Sequence, residues 1–366
     1  MPRLFEPARI NSLETANRLV RSATWMGMAE DDGTATPRLT ECLTALAQGG
    51  VGLIIAGHTF VSPEGQASWR QTALYDEKFI PAQTELTGAV HAAGGKIVCQ
   101  LAHAGARARV DLSGRPAKAM TPDIEGVPDE AEEWTTAELD QLSQTFARAA
   151  NFARRAGYDA VQLHAAHGYF INQTLSPHFN RRTDRYGDGQ EGRHRFAVQT
   201  IRLIRETLGP NYPILVKLNG NDFMPGGLTP QSSLDAAKAM IEAGVDAVEI
   251  SGGAPGAQYL PSRTKIEPGR EAYHRAEAEI FRQNLNVPLI LVGGVKSYDV
   301  AEELIESDTV DFVAMARPFI REPGLARRWE QGDRRPAECD SDNLCFRPPV
   351  KGEHVYCLTE EREKKK

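Results

Sequence analysis

The 366-residue chain carries 42 Lys and Arg against 49 Asp and Glu, a formal charge of −7 with its nine histidines neutral, so a nucleic-acid binder or a protein drawn to an anionic membrane surface is disfavoured. Hydrophobic residues at 41% and charged residues at 25% are ordinary for a globular enzyme, and the amino terminus, MPRLFEPARI, lacks the apolar core of a signal peptide, so a cytoplasmic protein with no membrane span is expected. Five scattered cysteines, an odd number, do not form the pattern of a secreted disulfide framework.

Leu19 to Ser22 can form a first strand, followed by a mixed loop over residues 23–36. Leu39, Leu43 and Leu46 repeat at helical spacing up to Gly49-Gly50, a helix stop. Val51 to Ile55 reads as a buried strand ending in Ala56-Gly57-His58. A helix over Glu77 to Ala92 leads to a third strand, Lys96 to Leu101, which delivers Gln100 and His103. The stretch Gly105 to Glu133 is too long and too rich in glycine, proline and charge for a routine connection, and reads as an excursion covering a site. Thr135 caps a helix running to about Arg155, and Asp159 to Leu163 follows as a strand with His164, His167 and Tyr169 at its carboxyl end and a loop through Gly189. Then come a helix over Glu191 to Leu208, strand Ile214 to Leu218, helix Pro230 to Ala243, strand Ala247 to Ile250, helix Glu271 to Asn284 and strand Pro288 to Val292. A short helix over Val300 to Ile305, strand Val310 to Met315 and helix Pro323 to Gln331 complete the series.

Eight strands alternating with helices predict a (β/α)8 TIM barrel over residues 1–335, with the long excursion after strand 3 and a short C-terminal extension over residues 336–366 whose charged end, from Glu360, is expected to fray. A doubly wound sheet is the alternative, but nearly regular repeats and glycines after the last strands favour closure. No GxGxxG follows the first strand, and no HExxH, P-loop or GxSxG occurs. In a barrel of this kind chemistry sits at the carboxyl ends of the strands. His58, Gln100, His103, His164, His167, Lys217, Asn219, Asp222, Ser251 and Arg317 are the polar groups placed there, a rim suited to an anionic or electron-rich cofactor. Gly293, Gly294, Ala316 and Arg317 occupy the position where such barrels commonly hold phosphate. The histidine pair has two readings, catalysis or zinc; the nearby sequence supplies no third ligand at motif spacing, so no metal is expected.

HAAHGYFINQTLSPHFNRRTDRYG closely resembles the signature of the Old Yellow Enzyme family of FMN-dependent oxidoreductases, and NRLVRSATWMG, GLIIAGHTFVSPEGQ, CQLAHAG, ILVKLNGND, LILVGGV and VAMARPFIREP fall in that family's order, over about residues 3 to 331. The resemblance implies bound FMN, NADPH or NADH as reductant, and a ping-pong cycle that passes hydride from flavin N5 to the activated C=C bond of an enone-like substrate. On matching positions it implies that His164 and His167 donate to the substrate oxygen, that Tyr169 protonates the α-carbon, and that Gln100 and Lys217 meet the flavin pyrimidine. It further sets Ala23, Thr24 and Trp25 against the isoalloxazine and Gly293, Gly294, Ala316 and Arg317 around the phosphate. Trp25 and His58 depart from the family, which often carries Thr or Cys at the first position and a small residue beside the flavin at the second; Trp25 either lines the substrate pocket or leaves the N5 contact to backbone, and His58, counted with the cofactor-binding residues, either donates to the flavin or narrows the site.

The tail segment CDSDNLCFRPPVKGEHVYC is similar to the iron–sulfur segment of larger relatives that include dienoyl-CoA reductases and amine dehydrogenases. Asp342 stands where a cysteine is expected, leaving Cys339, Cys345 and Cys357, so a folded tail without a [4Fe–4S] cluster is expected. Alternatives to the reductase are an FMN-dependent demethylase or dehydrogenase that oxidises its substrate, and a non-flavin barrel lyase or hydrolase. Assembly into a homo-oligomer is left open.

Overall fold

A computed structural model describes residues 3–267 and 269–365. Eight short apolar runs form parallel strands: β1 (Leu19–Arg21), β2 (Leu53–Phe60), β3 (Ile97–Ala102), β4 (Ala160–Ala165), β5 (Ile214–Asn219), β6 (Ala247–Ser251), β7 (Leu289–Val292) and β8 (Phe312–Met315). They pair in chain order and β8 closes onto β1, giving the expected (β/α)8 barrel. The strands are buried on both faces, so the period of two sorts side chains between two cores. Val20, Leu53, Ile55, Val98, Ala160, Leu215, Ala247, Ile290 and Phe312 fill the barrel, while Leu19, Ile54, Ile97, Val161, Ile214, Val248 and Val313 pack outward into the helical layer. An antiparallel hairpin, Ala8–Ile10 with Leu13–Thr15, adds Ile10 and Leu13 to the inner core.

Three carboxylates repeat one motif at the amino ends of the strands. Asp159, Asp246 and Asp311 each precede an even-numbered strand and each accepts, at 2.8 Å, the first N–H of the strand before it, at Ile97, Ile214 and Leu289. The helices that wrap the barrel are α1 (Pro37–Gln48), α2 (Ile80–Ala92), α3 (Thr136–Arg155), α4 (Gly189–Leu208), α5 (Pro230–Ala243), α6 (Arg275–Asn284) and α7 (Tyr298–Glu306). Thr36 caps α1, and Thr135 with Glu138 forms a capping box on α3. No described helix is long and apolar enough to cross a membrane.

Several boundaries differ from expectation for identifiable reasons. β2 continues to Phe60 past an irregularity between Ala56 and Thr59 instead of stopping at Ile55. α6 begins at Arg275, not Glu271, because the Glu271 carboxylate is occupied by the backbone N–H groups of Lys296 and Ser297 at 2.7 and 2.9 Å, and Ala272 is left-handed with φ 51°. The loop expected through Gly189 contains a short helix, Phe170–Leu175, and the single helix expected over Pro323 to Gln331 is preceded by another at Arg317–Arg321. The excursion folds around a two-residue parallel pairing, Lys118–Ala119 with Glu132–Glu133, over a small alanine core. The C-terminal extension lies back on the barrel, with Val355 N–H bonded to the Met26 carbonyl at 2.8 Å. Its end does not simply fray: Leu358–Glu363 is helical and Glu363 accepts from Arg321 at 2.6 Å.

Candidate active site

β4 lifts His164 to the top of the barrel, after which the chain reverses through two left-handed residues, His167 (φ 63°) and Gly168 (φ 73°). Side-chain amides hold that unusual turn: Asn219 accepts from His167 N–H at 3.2 Å and Asn172 from Gly168 N–H at 2.8 Å. Three rings then converge on His164, with centroids at 5.3 Å for His167, 4.9 Å for Tyr169 and 6.0 Å for His58. His58 also lies 5.1 Å from Tyr169, so it joins the same cluster of rings. Its Nδ1 meets Gln71 Nε2 at 2.5 Å, and His167 Nε2 meets Ser251 Oγ at 2.7 Å.

Burial is the main force on all of these groups. It holds His164 and His167 well below the ordinary histidine value, reinforced at both by the positive end of Lys217, and it lowers His58 to about 4. The imidazoles are therefore neutral near pH 7, able to donate a proton in a hydrogen bond without carrying a charge. Burial raises the Tyr169 phenol, opposed by the Arg107 guanidinium on the excursion. Arg107 itself makes no side-chain hydrogen bond or ion pair among the described residues. One side chain joins its turn to that of Tyr169: Gln173 accepts from Ala106 N–H at 3.1 Å and donates to the carbonyls of Gly168 at 2.7 Å and Ala104 at 3.2 Å.

Beneath the rings lies a chain of buried polar groups. Lys217 Nζ donates to Ser22 Oγ at 2.7 Å and to Glu249 Oε1 at 3.1 Å, and Ser22 Oγ donates to the same carboxylate at 2.6 Å. The other carboxylate oxygen takes Gln162 Nε2 at 2.8 Å, whose Oε1 takes Gln100 Nε2 at 2.7 Å. Sequence reasoning named Gln100 and Lys217 but missed Glu249 and Gln162. The available signal was a lone carboxylate within the apolar strand AVEIS, which must be paired if buried.

At the far side, Gly293 and Gly294 have φ 158° and 77°, and a Cβ on Gly294 would fall 2.7 Å from the Tyr273 ring. Arg317 approaches from the start of its short helix. The thirteen residues assigned from the sequence to catalysis or FMN, Ala23, Thr24, Trp25, His58, Gln100, His164, His167, Tyr169, Lys217, Gly293, Gly294, Ala316 and Arg317, line one cavity of about 310 Å³, whereas His103, Asn219 and Asp222 of the expected rim do not line it. Among the described residues its charged lining groups are Lys217 and Arg317, and no carboxylate lines it. Ser251, Ser262, Tyr273, Ser341 and Phe346 complete the wall. Among the described residues no group of three or more His, Cys, Asp and Glu side chains is arranged to hold a metal ion. Cys339, Cys345 and Cys357 are unbridged and border a separate small recess with Asp342.

The suppressed histidines make stability depend on acidity. Their unfolded value is near 6.5, while His58 and His103 are held at about 4 and His274 at about 3 in the fold. The unfolded chain therefore binds more protons between these values, and the stabilisation is complete above pH 6.5 and lost as pH falls toward 4. Urea midpoints of the flavin-free protein should be level from pH 8 to 7 and drop between pH 6 and 4. A midpoint at pH 5 equal to that at pH 7 would show that these rings reach water.

Residues 3–335 match the NADH:flavin oxidoreductase / NADH oxidase family. The chain is 36% identical over 330 residues to a metal reductase from Desulforamulus reducens, covering 90% of this chain and 49% of that protein. It is 35% identical over 325 residues to an NADPH dehydrogenase from Geobacillus thermodenitrificans, covering 87% of this chain and 91% of the other. Among solved structures, the fold resembles that of an old yellow enzyme homologue from Zymomonas mobilis with a TM-score of 0.78 at 26% identity, over 93% of this chain and 96% of that one. The chain thus spans about half the length of the metal reductase and nine-tenths of the dehydrogenase.

Proposed function

Because the chain belongs to the NADH:flavin oxidoreductase / NADH oxidase family, we propose that it is an FMN-dependent NAD(P)H oxidoreductase that reduces the activated C=C bond of α,β-unsaturated carbonyl compounds. The observation that carries this reading is the convergence of two neutral imidazoles and a phenol on one end of a cavity whose opposite end offers a guanidinium and two glycines. The donor set suits FMN. His164 Nδ1 is buried without a partner among the described residues, the Gly293-Gly294 corner has no room for a side chain, and the cations face an otherwise uncharged cavity. Gln100 and Lys217 would hold the pyrimidine edge, residues 23–25 the ring plane, and Gly293, Gly294, Ala316 and Arg317 the phosphate. Bound there, FMN would accept a hydride from NADPH or NADH and donate one to the substrate.

The chain's own residues supply the rest. His164 and His167 donate hydrogen bonds to the substrate oxygen, drawing electron density from the double bond and favouring charge that develops on that oxygen. Ser251 holds one nitrogen of the His167 ring and leaves the other to the ligand. Tyr169 gives its proton to the α-carbon. Trp25, fixed by its indole N–H on the Trp69 carbonyl at 3.1 Å, and His58 narrow the substrate wall, favouring small, flat acceptors.

An anaerobic absorption spectrum tests the whole reading. The purified protein should show an FMN band that bleaches with NADPH or NADH and returns when cyclohexenone is added. A folded, colourless protein that refuses FMN defeats the proposal, and a band that bleaches but stays bleached with enones defeats the substrate assignment.

A further inference from the structure

The C-terminal extension crosses the outer end of the cavity, where Ser341 and Phe346 line it beside Ser262 and Arg317. Asn343 is the junction. Its Oδ1 accepts from Arg317 Nη1 at 2.7 Å and from Ser262 Oγ at 3.0 Å, and its Nδ2 donates to the Ser262 carbonyl at 3.0 Å. The backbone there is left-handed, φ 60°, a conformation asparagine tolerates better than most residues. A second strut joins the same two segments, Lys265 N–H to the Ser341 carbonyl at 3.1 Å.

Arg317 Nη1 has one further acceptor, the Arg263 carbonyl at 2.8 Å. Arg263 is immobilised by three aromatic faces, with its guanidinium carbon 4.1 Å from the Tyr259 ring centre, 4.3 Å from Tyr273 and 5.4 Å from Phe223. Two fixed acceptors on one nitrogen set the plane of the Arg317 guanidinium. Its Nε and Nη2 bond to no described residue. The nearby Asp342 carboxylate is already engaged by Leu344 N–H at 2.9 Å and the Thr359 hydroxyl at 2.6 Å. Arg317 is buried, lines the cavity, and has unused donors and no ion-pair partner among the described residues, an arrangement that calls for an anion.

We propose that Asn343, reaching in from the C-terminal extension, is a positioning residue that aims Arg317 at the phosphate of FMN and thereby sets a preference for FMN over flavin that lacks the phosphate. The inference rests on FMN occupying the cavity. It is tested by stripping the protein of flavin and titrating wild type, Asn343→Ala and Asn343→Asp with FMN and with riboflavin, following quenching of flavin fluorescence. Asn343→Ala should weaken FMN binding by about tenfold, and Asn343→Asp, which keeps the shape but sets a negative charge against Arg317, at least as much. Riboflavin affinity should stay within about twofold in both variants, which also reports that the cavity is still folded. Equal losses for the two flavins, or no loss for either, would overturn the proposal while leaving the FMN reading intact. A wild-type protein that binds neither flavin overturns both.

Discussion

Replacing Tyr169 with phenylalanine should slow reoxidation of the bound flavin by an enone by about 10²–10⁴-fold while leaving its reduction by NADPH nearly unchanged. The substitution removes one hydroxyl and preserves the ring that packs 4.9 Å from His164 and 5.1 Å from His58. The turn beneath it is held by Asn172, Gln173 and Asn219 through contacts the phenol does not share. Because burial raises the Tyr169 phenol, the group remains protonated through the neutral range and is available as an acid. Only the step that delivers hydride to carbon requires a proton at the neighbouring carbon, so the two half-reactions should separate in anaerobic stopped-flow traces. Equal slowing of both would remove Tyr169 from the role of proton donor.

Lys217→Met should destabilise the flavin-free protein by about 3–5 kcal/mol. Lys217 and Glu249 are 4% and 0% exposed, and their contact is 3.1 Å. Without the ammonium, Glu249 stays buried with only a hydroxyl and an amide to balance its charge. Adding Glu249→Gln removes that charge, so the double variant should recover most of the loss, a coupling that a double-mutant cycle of urea unfolding measures directly. If the single variant unfolds at the wild-type midpoint, the carboxylate is not relying on Lys217. The double variant would fold but lack the cation at the cavity floor, which separates stability from flavin binding.

What could be read from the linear chain followed the range of the interactions. The barrel was legible because each strand is a local apolar run and each helix carries its own period or cap, as at Thr135 and Glu138. His164, His167 and Tyr169 were legible because they lie within six positions of one another. Glu249 was not, since its meaning depends on β6 lying beside β5 and placing it against Lys217. Asn343 was missed for the same reason, acting only through Arg317 and Ser262 on distant turns. The helix Phe170–Leu175 escaped notice because Asn172, Gln173 and Thr174 are polar yet buried, which hides any amphipathic period. Their polarity serves the surrounding turns.

The Gln173 cross-link has an evolutionary consequence. The excursion touches the turn that carries Tyr169 through Gln173, which binds main-chain groups of Ala104, Ala106 and Gly168 and takes no side chain from the outer part of the loop. Gly105 is constrained, since a Cβ there would sit 2.4 Å from Gln173 Oε1. Beyond Arg107 the excursion is largely exposed and can diverge, lengthen or be exchanged while Tyr169 keeps its place. The placement of the Tyr169 ring is thus insulated from sequence change in the outer loop, and the two can drift under separate selection.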